Sequence, residues 1–215
     1  MVRCLELFSG TGSVGKCCKE LGIDTLSIDI DGRADITVSI LDWDYITYPK
    51  DSFDLIWASP PCASFSKLQD AFMGRMRDGK IYTEEIQEDN MKSIGDPLVK
   101  KALEIIEYFE PELWFMENPQ TGKLKSREYM KSIPFYDIDY CRYCDWGYRK
   151  RTRIWTNKQD WIPLKCDGTG TCGNMVGSLH KTNLGNTQRL LQAESRLETV
   201  KKRSTLDDRY RIPPN

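Results

Sequence analysis

An apolar strand that runs into a glycine turn and then an amphipathic helix opens this chain, and that unit restricts its fold more than any other feature. Residues 3–8 (RCLELF) alternate like a buried strand. Phe8-Ser9-Gly10-Thr11-Gly12-Ser13 comes next, with glycines that let the backbone turn tightly and approach a ligand. From Val14 the apolar spacing is helical, and it stops at Gly22. Residues 25–30 and 53–58 read as further strands. Asp96-Pro97 opens a helix running to Phe109, with Pro97 suited to its first turn, and residues 113–116 form another core strand. Strand alternating with helix over about 155 residues predicts an α/β fold built on a parallel, doubly wound sheet.

Past Trp155 the pattern dissolves. Scattered Gly, Thr, Asn and Cys fill 157–186, a polar run over 187–203 reads as helical, and Arg209-Tyr210-Arg211-Ile212-Pro213-Pro214 closes the chain. The chain therefore divides into a larger α/β unit at 1–156, where the motifs below lie, and a smaller segment at 157–215. The stretch 66–95 is long for a connection and reads either as a mobile cover over the site or as a helical surface excursion. No stretch approaches the roughly 20 apolar residues of a membrane span, and no signal-like region precedes the first strand. The expectation is a soluble intracellular protein, cytoplasmic, or nuclear in a eukaryote. Eight cysteines then read as thiols, a nucleophile or metal ligands, not as disulfides.

Charge is divided unevenly along the chain. Residues 1–110 carry 12 Lys/Arg against 20 Asp/Glu, and residues 111–215 carry 19 against 12. The second part is the one expected to meet a polyanion; the alternative is a solvated surface with its basic residues dispersed.

Four blocks carry the chemistry. The FSGTGS loop, between strand and helix, suits a nucleotide-like cofactor, and helix amides there can face a carboxylate. Asp29, at the end of the second strand, is placed to accept hydrogen bonds from ribose hydroxyls, although a dinucleotide site has the same pattern. Ser59-Pro60-Pro61-Cys62 discriminates further: two prolines stiffen the loop and fix the direction of the next side chain, a thiol. A thiolate can add to C6 of a pyrimidine, which makes C5 of cytosine nucleophilic. Glu117-Asn118-Pro119 comes after a strand; alone it reads as a turn, but a carboxyl against an apolar wall can share a proton with N3 of a base. Arg149, Arg151 and Arg153 alternate, so an extended segment puts them on one face, able to hold a phosphate and a base carbonyl.

With these blocks in order, the chain resembles the DNA (cytosine-5)-methyltransferase family. The resemblance rests on FSGTGSVG, SIDID, SPPCASFS, a helix leading to WFMENP, and RKRTRIW, and covers residues 3–156. It implies a Rossmann-like S-adenosylmethionine-dependent methyltransferase fold, with S-adenosylmethionine as cofactor and DNA as partner. It also implies Phe8 against the adenine, Ser9, Gly10, Thr11, Gly12, Ser13 and Val14 around the methionine part, and Asp29 with Ile30 at the ribose. Ile40 with Leu41 or Asp42 would border the adenine, and Ser59, Pro60 and Leu98 would line the pocket. Cys62 would be the nucleophile, Glu117 the base-binding acid, and Arg151 and Arg153 the clamp. Cytosine C5 methylation of DNA is the implied activity; an RNA cytosine substrate and a non-catalytic remnant of the fold are the alternatives.

Departures from the family pattern also carry expectations. Ser39 stands where an acidic residue is usual, so Asp42 or backbone alone would hold the adenine. About 60 residues come after Trp155, which implies a short, relaxed or partner-assisted sequence preference. Arg211-Ile212-Pro213-Pro214 resembles the lead-in to the family's closing segment, with Gly185-Asn186 an out-of-place counterpart of its Gly-Asn pair. Cys166, Cys172 and His180, completed by Cys141 or Cys144, form a candidate metal site; ordinary thiols are the alternative.

Overall fold

In the computed structural model, which describes residues 1–183, 202–203 and 212–213, β1 (Arg3–Leu7) lies inside a seven-stranded sheet. After it come α1 (Ser13–Glu20), β2 (Asp24–Asp29), β3 (Ile36–Thr37), β4 (Leu55–Ala58) and a small hairpin, β5 (Met76–Arg77) with β6 (Lys80–Ile81). The chain continues through α2 (Glu84–Asn90), a π-turn at Met91–Gly95, α3 (Asp96–Phe109), β7 (Leu113–Pro119), β8 (Phe135–Asp139) and β9 (Arg151–Thr156). Sheet order is β3-β2-β1-β4-β7-β9-β8. Pairing is parallel from β3 to β7, and β9 enters antiparallel to both β7 and β8. This is a Rossmann-like sheet with one reversed strand.

The pleat sorts the core into two faces. Leu5, Leu7, Ile56, Ala58, Met116 and Trp155 belong to one cluster, against which α3 buries Val99, Ala102, Ile105, Ile106 and Phe109. Each such side chain contributes about 1.5–3 kcal/mol by leaving water, Ala102 less. On the other face Cys4 meets Val14 and Cys18 of α1. Gly22, in the left-handed region at φ +71°, ends α1 and returns the chain to the sheet as anticipated. Farther along that face Ile138, Tyr140 and Ile154 pack with Trp57, Phe115 and Trp161.

Three stretches take forms that the sequence put differently or left open. Glu117-Asn118-Pro119 is no turn: these residues continue β7, opposite Ile154, Arg153 and Thr152 of β9. An isolated tripeptide with Pro reads as a turn, but pairing with a distant strand extends it. The 66–95 stretch holds the β5–β6 hairpin, α2 and the π-turn, and is tied to the body by Lys123, which pairs with Asp70 at 2.7 Å and bonds Gln87. Finally, Lys202–Arg203, placed in the expected 187–203 helix, is a short strand that pairs in parallel with Thr182–Asn183. The rest of that helix and Gly185-Asn186 lie outside the described residues, as do Arg211 and Pro214 of the closing segment. Ile212 packs on both the Cys4 and the Ile138 clusters. Among the described residues no helix is long and apolar enough to cross a membrane.

Candidate active site

The loop after β4 is built to present a thiol. Ser59 keeps alongside β1 through its amide to the Leu7 carbonyl at 3.1 Å, and its hydroxyl accepts from Trp57 Nε1 at 2.8 Å. Pro60 is buried, and its carbonyl accepts a 2.9 Å bond from Asn118 Nδ2, joining the proline loop to β7. Cys62 then caps a short 3-10 turn, Ala63–Phe65, whose Phe65 is fully buried. The Phe65 ring sits where a Cβ on Gly95 would come within 2.6 Å, so the π-turn needs glycine there. Loop direction is thereby set from both ends by fixed packing.

The charges of Glu117 and Lys150 both reach that thiol. Lys150 Nζ lies 3.3 Å from Glu117 Oε1, with side chains 12% and 9% exposed. The pair is ionic: Glu117 Oε1 is buried and accepts no directed hydrogen bond among the described residues. Lys150 also stands 4.8 Å over the Tyr140 ring. Burial pushes the half-buried Cys62 thiol above its ordinary range, the Glu117 charge raises it further, and Lys150 partly opposes them. At rest Cys62 is a thiol, and neutralising Glu117 would favour its thiolate.

Sequence reasoning passed over Lys150 in favour of its arginine neighbours. Register explains the outcome. Glu117 stands opposite Ile154, so the even positions of β9, and Lys150 just before it, project to Glu117's side of the sheet. Arg151 and Arg153 do alternate on one face, but it is the face of Asn118. Arg153 is committed to Asp137 by bonds of 2.7 and 2.9 Å and stacks 3.6 Å from the Phe135 ring. Those bonds outweigh burial and hold Asp137 below the usual carboxylate range. Arg149 forks onto Asp139 at 2.9 Å for both bonds. Arg151 is exposed.

At the same end of the sheet, directly after β1, lies the FSGTGS loop. Phe8 takes φ +61°, rare without glycine, and packs half-buried on the same core cluster as Leu98 and the buried Ile40. Gly10 and Gly12 are left-handed at φ +50° and +66°, with open space where a Cβ would project, so a ligand can lie against the loop. Asp29 holds the loop closed, accepting from Gly10 N at 2.8 Å and from Asp31 N at 2.9 Å. Ser9 is buried, while Thr11 and Ser13 join their hydroxyls at 2.9 Å. Ile30, Leu41 and Asp42 are exposed, and the Ser39 hydroxyl accepts from Leu41 N at 3.2 Å.

Glu6 is the residue missed here. The first amides of α1, expected to face a ligand carboxylate, instead reach this buried side chain: Val14 N at 3.2 Å and Gly15 N at 2.9 Å. Burial raises its pKa to about 7 despite those bonds. The available signal was a lone acid within an apolar strand, on the same pleat face as Cys4 and hence under α1.

A separate group, Cys141, Cys166, Cys172 and His180, converges beyond the end of β8. Cys144, the other candidate, turns its thiol to the Tyr140 carbonyl at 3.1 Å.

Comparison with known proteins gives a strong likeness in sequence and further likenesses in fold. The "Probable DNA (cytosine-5)-methyltransferase" of Frog virus 3 (isolate Goorha) is 40% identical to this chain over 215 residues, spanning 99% of this chain and 95% of its own length. Among solved structures, the Entamoeba histolytica methyltransferase EhMeth has a TM-score of 0.50 at 17% identity. It covers 77% of this chain, and this chain spans 56% of EhMeth, so that likeness is one of fold. No protein-family model matches the chain.

Proposed function

This chain belongs to the DNA (cytosine-5)-methyltransferase family, and from that membership we propose that it methylates C5 of cytosine in DNA, within the cell, using S-adenosylmethionine. When bound, this cofactor supplies an electrophilic methyl group. Phe8, the Ser9-to-Val14 loop, Asp29, Ile40, Pro60 and Leu98 would hold it; the open space over Gly10 and Gly12 and the half-buried Asp29 carboxylate fit such a group.

A single observation supports the base site best: a buried Glu117 carboxylate oxygen with no directed hydrogen bond among the described residues, coupled in charge to Cys62 and balanced by Lys150. A cytosine flipped out of the duplex brings an exocyclic amine that donates to Glu117, and the carboxylate takes up a proton from solvent as the base binds and shares it with N3. That proton reduces the negative charge which raises the Cys62 pKa, so base binding and thiolate formation are coupled. Sulfur then adds to C6 and makes C5 nucleophilic. After methylation, loss of the C5 proton with elimination of Cys62 restores the ring. Arg151, exposed on the second, more basic part of the chain, contacts backbone phosphate.

The test is DNA containing 5-fluorocytosine, in which fluorine cannot leave as a proton does. Expected is a covalent adduct at Cys62, seen by mass spectrometry, and none with Cys62→Ala, which still binds S-adenosylmethionine within a few-fold. An active enzyme that forms no adduct would overturn the covalent route, and faster methylation of RNA than of any duplex DNA would overturn the choice of substrate.

A further inference from the structure

Three thiols and one imidazole meet at a point the methyl-transfer site does not use. The ligand atoms of Cys141, Cys166, Cys172 and His180 all lie within 4.8 Å of one another. His180 Nε2 is 3.7 Å from Cys166 Sγ and 3.6 Å from Cys172 Sγ. A tetrahedral zinc ion, with Zn–S of about 2.3 Å and Zn–N of about 2.0–2.1 Å, requires edges of roughly 3.5–3.8 Å between its ligands. The four residues come from three places: the turn Tyr140–Arg142 after β8, the irregular stretch 166–172, and β11 (Leu179–His180), which pairs with β10 (Met175–Val176). No disulfide joins any of them.

The surrounding polar groups hold the ligand-bearing backbone and leave the sulfurs to each other. Asn174, 2% exposed, donates from Nδ2 to the carbonyls of Cys141 and Cys144 at 2.7 Å and of Cys172 at 3.2 Å, while Oδ1 accepts from Gly147 N at 2.9 Å. Cys166 is fixed on both sides: its amide donates to Asp139 Oδ2 at 2.8 Å, and its carbonyl accepts from Arg149 at 2.8 Å. Such supporting bonds around a ligand set are the usual outer shell of a metal centre.

The geometry points to a structural zinc site formed by Cys141, Cys166, Cys172 and His180. Three soft thiolates and an imidazole select Zn²⁺ over hard cations, and four protein ligands close the tetrahedron, leaving no position for a reacting water. Binding exchanges three thiol protons for the metal, giving a site of net charge −1 beside the Arg149 guanidinium. The ion ties the 166–180 loops to the end of β8. That segment needs such a tie: Ile162 is 83% exposed, and regular structure between Asn157 and His180 is confined to the short β10–β11 hairpin. Through Arg149 it also braces the backbone that carries Lys150.

The experiment uses the full chain, purified reduced from zinc-supplemented cells. Elemental analysis is expected to find about one zinc per chain, by the four-ligand rule. Exchange into Co²⁺ is expected to produce the strong visible absorption of tetrahedral cobalt and a sulfur-to-cobalt charge-transfer band. Cys172→Ser and His180→Ala, altering the two less buried ligands, should each weaken Zn²⁺ binding by at least about tenfold, whereas Cys144→Ser leaves it intact. Reduced wild-type protein that carries no zinc and gives no tetrahedral cobalt spectrum would overturn the site, whatever the variants do. So would full metal binding by Cys172→Ser, or its loss in a folded Cys144→Ser chain. None of these readings depends on methyl transfer.

Discussion

Lys150 Nζ lies 3.3 Å from Glu117 Oε1, and the charges of these two nearly buried side chains act in opposite directions on the Cys62 thiol. A cation thus balances the carboxylate while the base is away, and a proton shared with the base can balance it during reaction. Thiol reactivity should report this charge arrangement directly. Alkylation of Cys62 by iodoacetamide at mildly alkaline pH is expected to quicken several-fold in Glu117→Gln, because the charge that raises the thiol pKa is gone. It should slow in Lys150→Met. Equal rates in the two variants would exclude the arrangement.

Asn118 is expected to act by positioning. Its bond to the Pro60 carbonyl is buried, and losing it costs about 1–3 kcal/mol of stability. Asn118→Ala should form the 5-fluorocytosine adduct more slowly, by about 10²-fold if Cys62 shifts by as much as 1 Å. Calorimetry of S-adenosylmethionine binding should change little. A variant equally destabilised but with an unchanged adduct rate would limit Asn118 to a structural role.

The two strand arginines should separate cleanly. Exposed Arg151 is expected to contribute one phosphate contact, so Arg151→Ala lowers the slope of log affinity against log salt by about 1 and leaves thermal stability alone. Arg153, held by Asp137 and stacked on Phe135, belongs to the fold. Arg153→Ala should cost about 2 kcal/mol by removing the guanidinium partner of Asp137, with a lower Tm read by calorimetry. Salt titrations that showed the same slope for Arg151→Ala and the wild-type protein would exclude the phosphate contact.

Glu6 predicts a pH dependence of stability. Its folded pKa of about 7 lies above the ordinary 4.5, so the folded state binds the proton more tightly. The associated stability is fully present below about pH 4.5 and is lost as pH rises through about 7, a total of about 3 kcal/mol. Denaturant unfolding of Glu6→Gln should lack this loss. Parallel stability curves for the two proteins between pH 5 and pH 8 would show that Glu6 ionises at its ordinary value.

Strand and helix periods, the glycine stop at Gly22, and the chemical blocks at Phe8, Cys62, Glu117 and Arg151 were legible because each depends on neighbours in the sequence. Spacing alone separates a buried strand from an amphipathic helix. Which face each side chain took was another matter. Placing β9 antiparallel between β7 and β8, at a register that sets Ile154 opposite Glu117, turned Lys150 toward Glu117 and Arg153 toward Asp137. A shift of one residue would have exchanged them, since side chains alternate with period two. The same non-local pairing extended Glu117-Asn118-Pro119 into β7, and folding of the 166–180 loops chose Cys141 over Cys144. Residue types and their order were local information; partners distant in the sequence were decided only when the sheet closed around them.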